Sequence, residues 1–359
     1  MAIQTAADSI TSNQGSPYGF KNRVINGGMA IDQRNAGASV TPTAGTYMLD
    51  RFQLDISQSS KYSFQRNGGS VTPPNGFRNY LGMTVASGYS ITSSDYFQLM
   101  HKIEGSNIAD LMWGTVNAKT VTLSFWVYTN LIGTFGGAIR NNDVTRSYPF
   151  TFSTTASNTW TYISITIPGD TTGTWETGTS IGIQIAWGLG NGSNYTGPAF
   201  AWAGTNYQSA TGATSIVATT SNTFYLTGVQ LEAGSQSTAF DWRDYGRELA
   251  LCQRYFQTWG GVTSSDYAPW SGLGYNSTTA EGCFTYLSTM RSAPSLTQVG
   301  NWLFNDVASD NAAGTLGIGG VSYQNTQMRS STATGITQYR PYTLRASSSA
   351  SRIQLSAEL

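Results

Sequence analysis

From Val24 to about Trp242 the chain is written in short runs of alternating apolar and polar residues, broken by turn residues about every ten positions. Phe52-Gln53-Leu54-Asp55-Ile56 alternates, and so does Val121 to Tyr128. In Tyr162 to Ile167 the isoleucines fall on one face and Tyr, Ser and Thr on the other. Ile181 to Trp187 repeats that layout. Strands with one apolar and one hydroxylated face are what two packed antiparallel sheets require. Asn67-Gly68-Gly69, Pro73-Pro74-Asn75-Gly76 and Pro168-Gly169-Asp170 supply turns between them. No helical period of useful length precedes residue 244. There Asp244 can cap a helix over Tyr245–Gln257, with Leu249, Cys252 and Phe256 on one stripe and Gly260-Gly261 as the stop. Strand patterns then return at Cys283–Met290, Thr315–Tyr323, Ile336–Leu344 and Ile353–Leu355. The reading is all-β: a sandwich, a short helix, and a second, smaller β-rich domain. The boundaries it predicts are an extended arm over 1–21, a sandwich over 22–243 and a C-terminal domain over 244–359.

Composition narrows the class. Charged residues make up 11% of the 359, with Lys+Arg and Asp+Glu equal at 19 each. That balance argues against a nucleic-acid partner, which needs a basic surplus. Aromatics at 13% are too many for a disordered chain, and no apolar run approaches the roughly 20 residues of a membrane span. No membrane insertion is expected. The N-terminal stretch lacks a signal-peptide pattern, which predicts synthesis in the cytoplasm. Cys252 and Cys283 are the only cysteines, and both read as buried free thiols.

Three segments carry a resemblance. Asn222–Phe256 (NTFYLTGVQLEAGSQSTAFDWRDYGRELALCQRYF), Asn22–Arg34 (NRVINGGMAIDQR, continuing to Leu49-Asp50-Arg51-Phe52) and Trp160–Trp175 (WTYISITIPGDTTGTW) resemble bacteriophage tail-fibre and other virion surface proteins. Arg291-Ser292-Ala293-Pro294 resembles a phrase that follows such junctions. The resemblance implies a jelly roll of the carbohydrate-binding-module kind. In it, Asn22–Arg34 and Phe224–Gly234 would be opening and closing strands of one sheet, and Trp160–Trp175 the central strand and turn. It implies a virion structural protein, most simply a tail-fibre or receptor-binding protein that attaches to host surface glycan. The arm would dock on other virion proteins or a neighbouring subunit, or else be a loose terminus. Low surface charge suits close subunit contact, and fibres of this kind are homotrimers. The alternatives are a capsid decoration or head-fibre protein without a receptor role, and a glycan-degrading enzyme.

Candidate chemistry is sparse, and no catalysis is expected. His101 is the only histidine and sits in an alternating run without a nucleophile elbow, so it reads as a strand residue. Asp50, Asp55, Asp95, Glu104, Asp110, Asp143, Asp170, Glu176 and Glu232 do not form a close pair flanked by aromatics, as glycoside hydrolysis would require. Asp170 is explained by its turn. Gly188-Leu189-Gly190-Asn191-Gly192 mimics a phosphate loop without its Lys-Ser/Thr tail and reads as a flexible loop. The module-like resemblance implies a calcium near Asn26, Asp32 and Glu232. Calcium takes roughly six to eight oxygens, which these strands do not supply, so no metal or other cofactor is expected. The ligand candidates are Trp187, Asn191, Asn194, Tyr195, Trp202, Asn206 and Tyr207, aromatics set among small polar residues. Such rings stack on sugar C–H faces while amides take the hydroxyls. Trp187 and Trp202 have the competing reading of sandwich core or subunit contact.

Overall fold

Alternation at period two puts a continuous apolar stripe on each strand, and two sheets bury those stripes against each other. A computed structural model describes residues 21–359. The arm assigned to residues 1–21 lies, apart from Lys21, outside the described residues. The chain divides into two units, one running to Tyr245 and one spanning Gly246–Glu358.

In the first unit the strands are β1 (Tyr47–Leu49), β2 (Phe52–Ile56), β3 (Tyr62–Arg66), β4 (Leu81–Val85), β5 (Tyr96–Glu104), β6 (Val121–Tyr128) and β7 (Gly133–Arg140). They continue as β8 (Ser147–Thr154), β9 (Thr161–Ile167), β10 (Ile181–Asn191), β11 (Thr196–Gly197), β12 (Ser209–Ala210) and β13 (Thr223–Ala233). One sheet has the order β1-β2-β5-β10-β7-β8 and the other β3-β4-β13-β6-β9, a jelly-roll sandwich. The core follows from the alternation. Ile183, Ile185, Trp187 and Leu189 of β10 point inward and are fully buried, as are Val121, Leu123, Phe125 and Val127 of β6. Phe125 meets Trp187 edge-on across the sandwich, ring centroids 5.7 Å apart. Burying a side chain of this size stabilises the fold by about 1.5–3 kcal/mol.

Two parts of the implied topology differ. Asn22–Arg34 forms turns, not a strand. It runs beside β13, with Arg23 N donating to Leu231 O (2.9 Å) and Val229 N to Gly27 O (3.0 Å). Asn26 holds the turns: its amide donates to Ile31 O (2.8 Å) and Asp50 O (2.9 Å) and accepts from Ile31 N (2.9 Å). Those side-chain bonds replace the ladder that a strand would need. Strand β9, expected to be central, lies at the edge of its sheet.

The second unit opens with α1 (Tyr245–Gln253), which is shorter than the pattern predicts. It stops because Phe256–Gly260 is claimed by a sheet. This run is β14 (Phe256–Gly260), and further strands follow as β15 (Tyr267–Gly274), β16 (Ala280–Thr285), β17 (Ser295–Val299) and β18 (Trp302–Asn305). The last are β19 (Asp310–Ala312), β20 (Leu316–Val321), β21 (Asn325–Ser330), β22 (Pro341–Ala346) and β23 (Arg352–Ser356). β14 pairs with β23 from Phe256↔Ser356 to Gly260↔Arg352. Trp259, Trp270, Phe284, Trp302 and Phe304 form the core of this unit. Neither cysteine is in a disulfide, but only Cys252 is buried; Cys283 points out of β16 and is exposed.

Candidate functional site

The outward face of the six-stranded sheet carries a connected row of polar side chains. Register aligns Lys102 of β5 with Gln184 of β10, and Gln184 with Arg140 of β7. Gln53 of β2 lies opposite Met100, and Asp55 opposite Gln98. All of these are the alternate positions of strands whose other face is core, so the same period that builds the sandwich lays out this row.

The row is bonded to itself. Gln98 Nε2 donates to Asp55 Oδ2 (2.8 Å). Arg140 donates to Gln98 Oε1 (3.1 Å), Gln184 Oε1 (3.4 Å) and Asn206 Oδ1 (2.9 Å). Gln184 Nε2 in turn donates to Asn141 O (3.0 Å). Arg140 is only 3% exposed, and its Nε has no partner. Burial pulls its pKa down to about 10, partly offset by the charge of Asp55, so it remains a cation at neutral pH. Above this row lies an open groove of about 480 Å³, lined also by Tyr96, Tyr195 and Gln208. Tyr96 and Tyr195 meet edge-on at 5.3 Å.

Asp95 fixes that end of the groove. Its carboxylate accepts from Thr92 Oγ1 (2.7 Å) and N (2.8 Å), Ser57 Oγ (2.8 Å) and Tyr89 OH (3.1 Å). These bonds, those of Thr92 first, hold its pKa far below the usual carboxylate range. Its carbonyl accepts from Gly192 N (2.8 Å), where the loop that carries Tyr195 begins.

The loop lies over the outer face of the sheet, and glycines make room for it. A Cβ at Gly188 would come within 2.6 Å of Ser209 Oγ, and one at Gly136 within 2.3 Å. Gly188 to Asn191 are the end of strand β10 rather than a flexible loop, and Gly192 follows it. Of the seven ligand candidates, Tyr195 and Asn206 line the groove. Asn191 donates to Gln208 Oε1 (3.0 Å) and lines a separate hollow of about 240 Å³. Asn194 is exposed, with its N–H on Ser93 O (3.0 Å). Tyr207 lies flat over Gly197, where a Cβ would be 2.2 Å from its ring.

Trp187 is a correction, and Trp202 is half-buried. Trp187 is fully buried between the sheets and offers no face to a ligand. Trp202 packs its ring on Tyr148, Trp113 and Trp175 at 5.1–5.6 Å and donates its indole N–H to Pro168 O (2.9 Å). Gln53, Tyr96, Lys102, Arg140, Gln184 and Gln208 were not singled out from the sequence, and Asp55 was weighed there only as a catalytic carboxylate. Their outward positions are readable there, but which strands are neighbours is not.

The remaining candidates serve the fold. His101 Nε2 lies 3.0 Å from Ile25 O, and the ring packs edge-on against Phe52. Asp170 binds Arg146 through both oxygens (2.7 and 2.8 Å) while capping its turn at Thr172. Asp110 binds Arg23 through both oxygens. Asp50 accepts from Gln33 N, Asp32 from Asn35 N, and Glu232 from Thr238. Among the described residues no three His, Cys, Asp or Glu come together as a metal site.

No family model matches the chain, and no curated protein matches it. Solved structures to which it is similar include a CBM4 structure, at 17% identity and TM-score 0.30, covering 59% of this chain and 99% of that one. Another is the family 11 carbohydrate-binding module from Clostridium thermocellum in complex with a β-1,3-1,4-mixed-linked tetrasaccharide (10%, TM-score 0.30, 55% and 98% covered). A third is the enzymatically active domain of bacteriophage CBA120 tailspike protein 4 (10%, TM-score 0.33), with 59% of this chain but only 21% of that one covered. At such identities and TM-scores they say nothing about which residues meet a ligand.

Proposed function

We propose that the first unit binds glycan in the groove over Lys102, Gln184 and Arg140, and that the chain is a phage virion surface protein, a tail fibre or receptor-binding protein that attaches to host polysaccharide. The observation that carries the glycan reading is the fixed row of planar amides and a guanidinium that floors an open groove beside Tyr195. Sugar hydroxyls both donate and accept, and they meet amides that do the same. Groups already held by one another lose little freedom when a ligand arrives. The phage setting is supported by the resemblance of Asn22–Arg34, Trp160–Trp175 and Asn222–Phe256 to tail-fibre proteins. Under this reading the arm docks on other virion proteins and the chain acts as a homotrimer, without catalysis.

Purified full-length protein should adsorb to host cells, and soluble surface polysaccharide released from those cells should compete. Sedimentation should return a trimer, and labelling of intact virions should place the chain on the tail. A capsid location without adsorption would favour the decoration-protein reading. Progressive shortening of the polysaccharide by the protein would mean a depolymerase.

A further inference from the structure

A hollow of about 310 Å³ opens on the opposite sheet. Phe125 and Val127 of β6 face the core, so Ser124 and Trp126 face outward. Trp126 pairs in register with Tyr162 of β9, their ring centroids 5.2 Å apart. The far wall is a knot of three rings, in which Trp242 meets Phe77 at 4.8 Å and Phe240 at 4.7 Å. Trp242 is nevertheless 57% exposed and Tyr162 43%, both large apolar surfaces left to solvent.

The floor is kept open by backbone. Strand β13 shifts register between Thr227 and Gln230, and within that irregularity Gly228 adopts a left-handed φ of +63°. A Cβ there would lie 2.7 Å from Phe77 and 3.0 Å from Trp126, so any other residue would push the walls apart. No Asp, Glu, Lys, Arg or His lines the hollow. Its hydrogen-bonding side chains include Asn75 and Ser124, neither of which bonds to any described residue. Rings of fixed position, uncommitted neutral polar groups and no charge are the features of a site for an uncharged, amphipathic ring. Ligand pockets run from roughly 300 to 1,000 Å³, so the volume suits a single sugar unit rather than a chain.

We infer that the Phe77–Trp126–Tyr162–Trp242 cleft is a second saccharide site, independent of the groove, which takes one neutral pyranose ring. The sugar's C–H face lies on Trp242 or Tyr162, and Asn75 and Ser124 take its hydroxyls. The groove on the other sheet displays charge and long planar side chains, so the two sites select different ligands.

The test uses the full chain with glucose, galactose, mannose and N-acetylglucosamine as probes, read by saturation-transfer NMR titration. At least one probe should bind, and Trp242→Ala should weaken it about tenfold, the loss of one stacking contact. Tyr162→Thr puts a strand-favouring, β-branched residue in place of the ring, so it carries the same test should Trp242→Ala fail to fold. Gln184→Ala, in the groove, should leave probe binding unchanged, whatever its effect on polysaccharide. Absence of binding by all four probes overturns the inference. So does binding that Gln184→Ala alone removes. Cleft variants that bind as wild type but sediment as a smaller species would overturn it too, because the rings would then be a subunit contact.

Discussion

His101 shows how little a residue type says until its surroundings are known. It lies on the core side of β5, 1% exposed, with Nε2 facing the Ile25 carbonyl and Nδ1 without a partner. Burial pulls its pKa down from 6.5 to about 3, the charge of Arg51 adding to the effect, so the ring is neutral when folded. The unfolded chain takes up a proton below about pH 6.5, and the folded chain does so only near 3. Stability is therefore whole above 6.5 and is lost as pH falls, by about 1.4 kcal/mol per pH unit for this one group. Denaturation of wild type and His101→Gln between pH 7 and 5 should show the slope in the wild type and a flatter profile in the variant. Equal slopes would mean that carboxylates alone set the acid sensitivity. At this scale the sequence was a partial guide. It marked His101 as a strand residue, but composition around Trp187 and Trp202 cannot tell an exposed ring from a buried one. Trp187 continues the inward stripe of Ile183 and Ile185, and that parity was the signal available.

Among the elements, legibility followed periodicity. Strands β2, β6, β9 and β10 were readable because each alternates for several residues, and α1 was readable because its pattern changes at Asp244. Its end was not, because Phe256 and Trp259, three apart, keep the helical spacing, and the decision came from β23, nearly a hundred residues on. The Asn22–Arg34 segment misled for a similar reason: the buried Asn26 amide bonds hold it as turns beside a strand. A boundary between units falls at Tyr245–Gly246, close to the change of pattern. Limited proteolysis should cut between Ala233 and Arg247 and leave a stable N-terminal fragment, since the boundary between two separately cored units falls there and residues 244–247 are exposed. A full chain that resists as one piece, or cleavage only elsewhere, would contradict separable units.

For the molecule as a whole, the central claim is that a polar row built by strand register is a glycan site. Alternation told the sequence reader which residues face out; it did not say that β5, β10 and β7 are neighbours, so Lys102, Gln184 and Arg140 could not be brought together. Tyr195 and Asn206 were singled out because aromatics there stand among small polar residues, and the fold lays that loop against the row. The most direct measurement is calorimetric titration of host surface oligosaccharide into the full chain, its Gln184→Ala variant and its Asn206→Ala variant. Both side chains line the groove. Gln184 is buried and bonded to Arg140 and Asn141 O, so its loss should lower the thermal midpoint somewhat, and Asn206→Ala should stay closer to wild type. In both folded variants affinity should fall by about 1–3 kcal/mol, roughly ten- to a hundredfold. Unchanged affinity in both folded variants would contradict the account and move the glycan off this face.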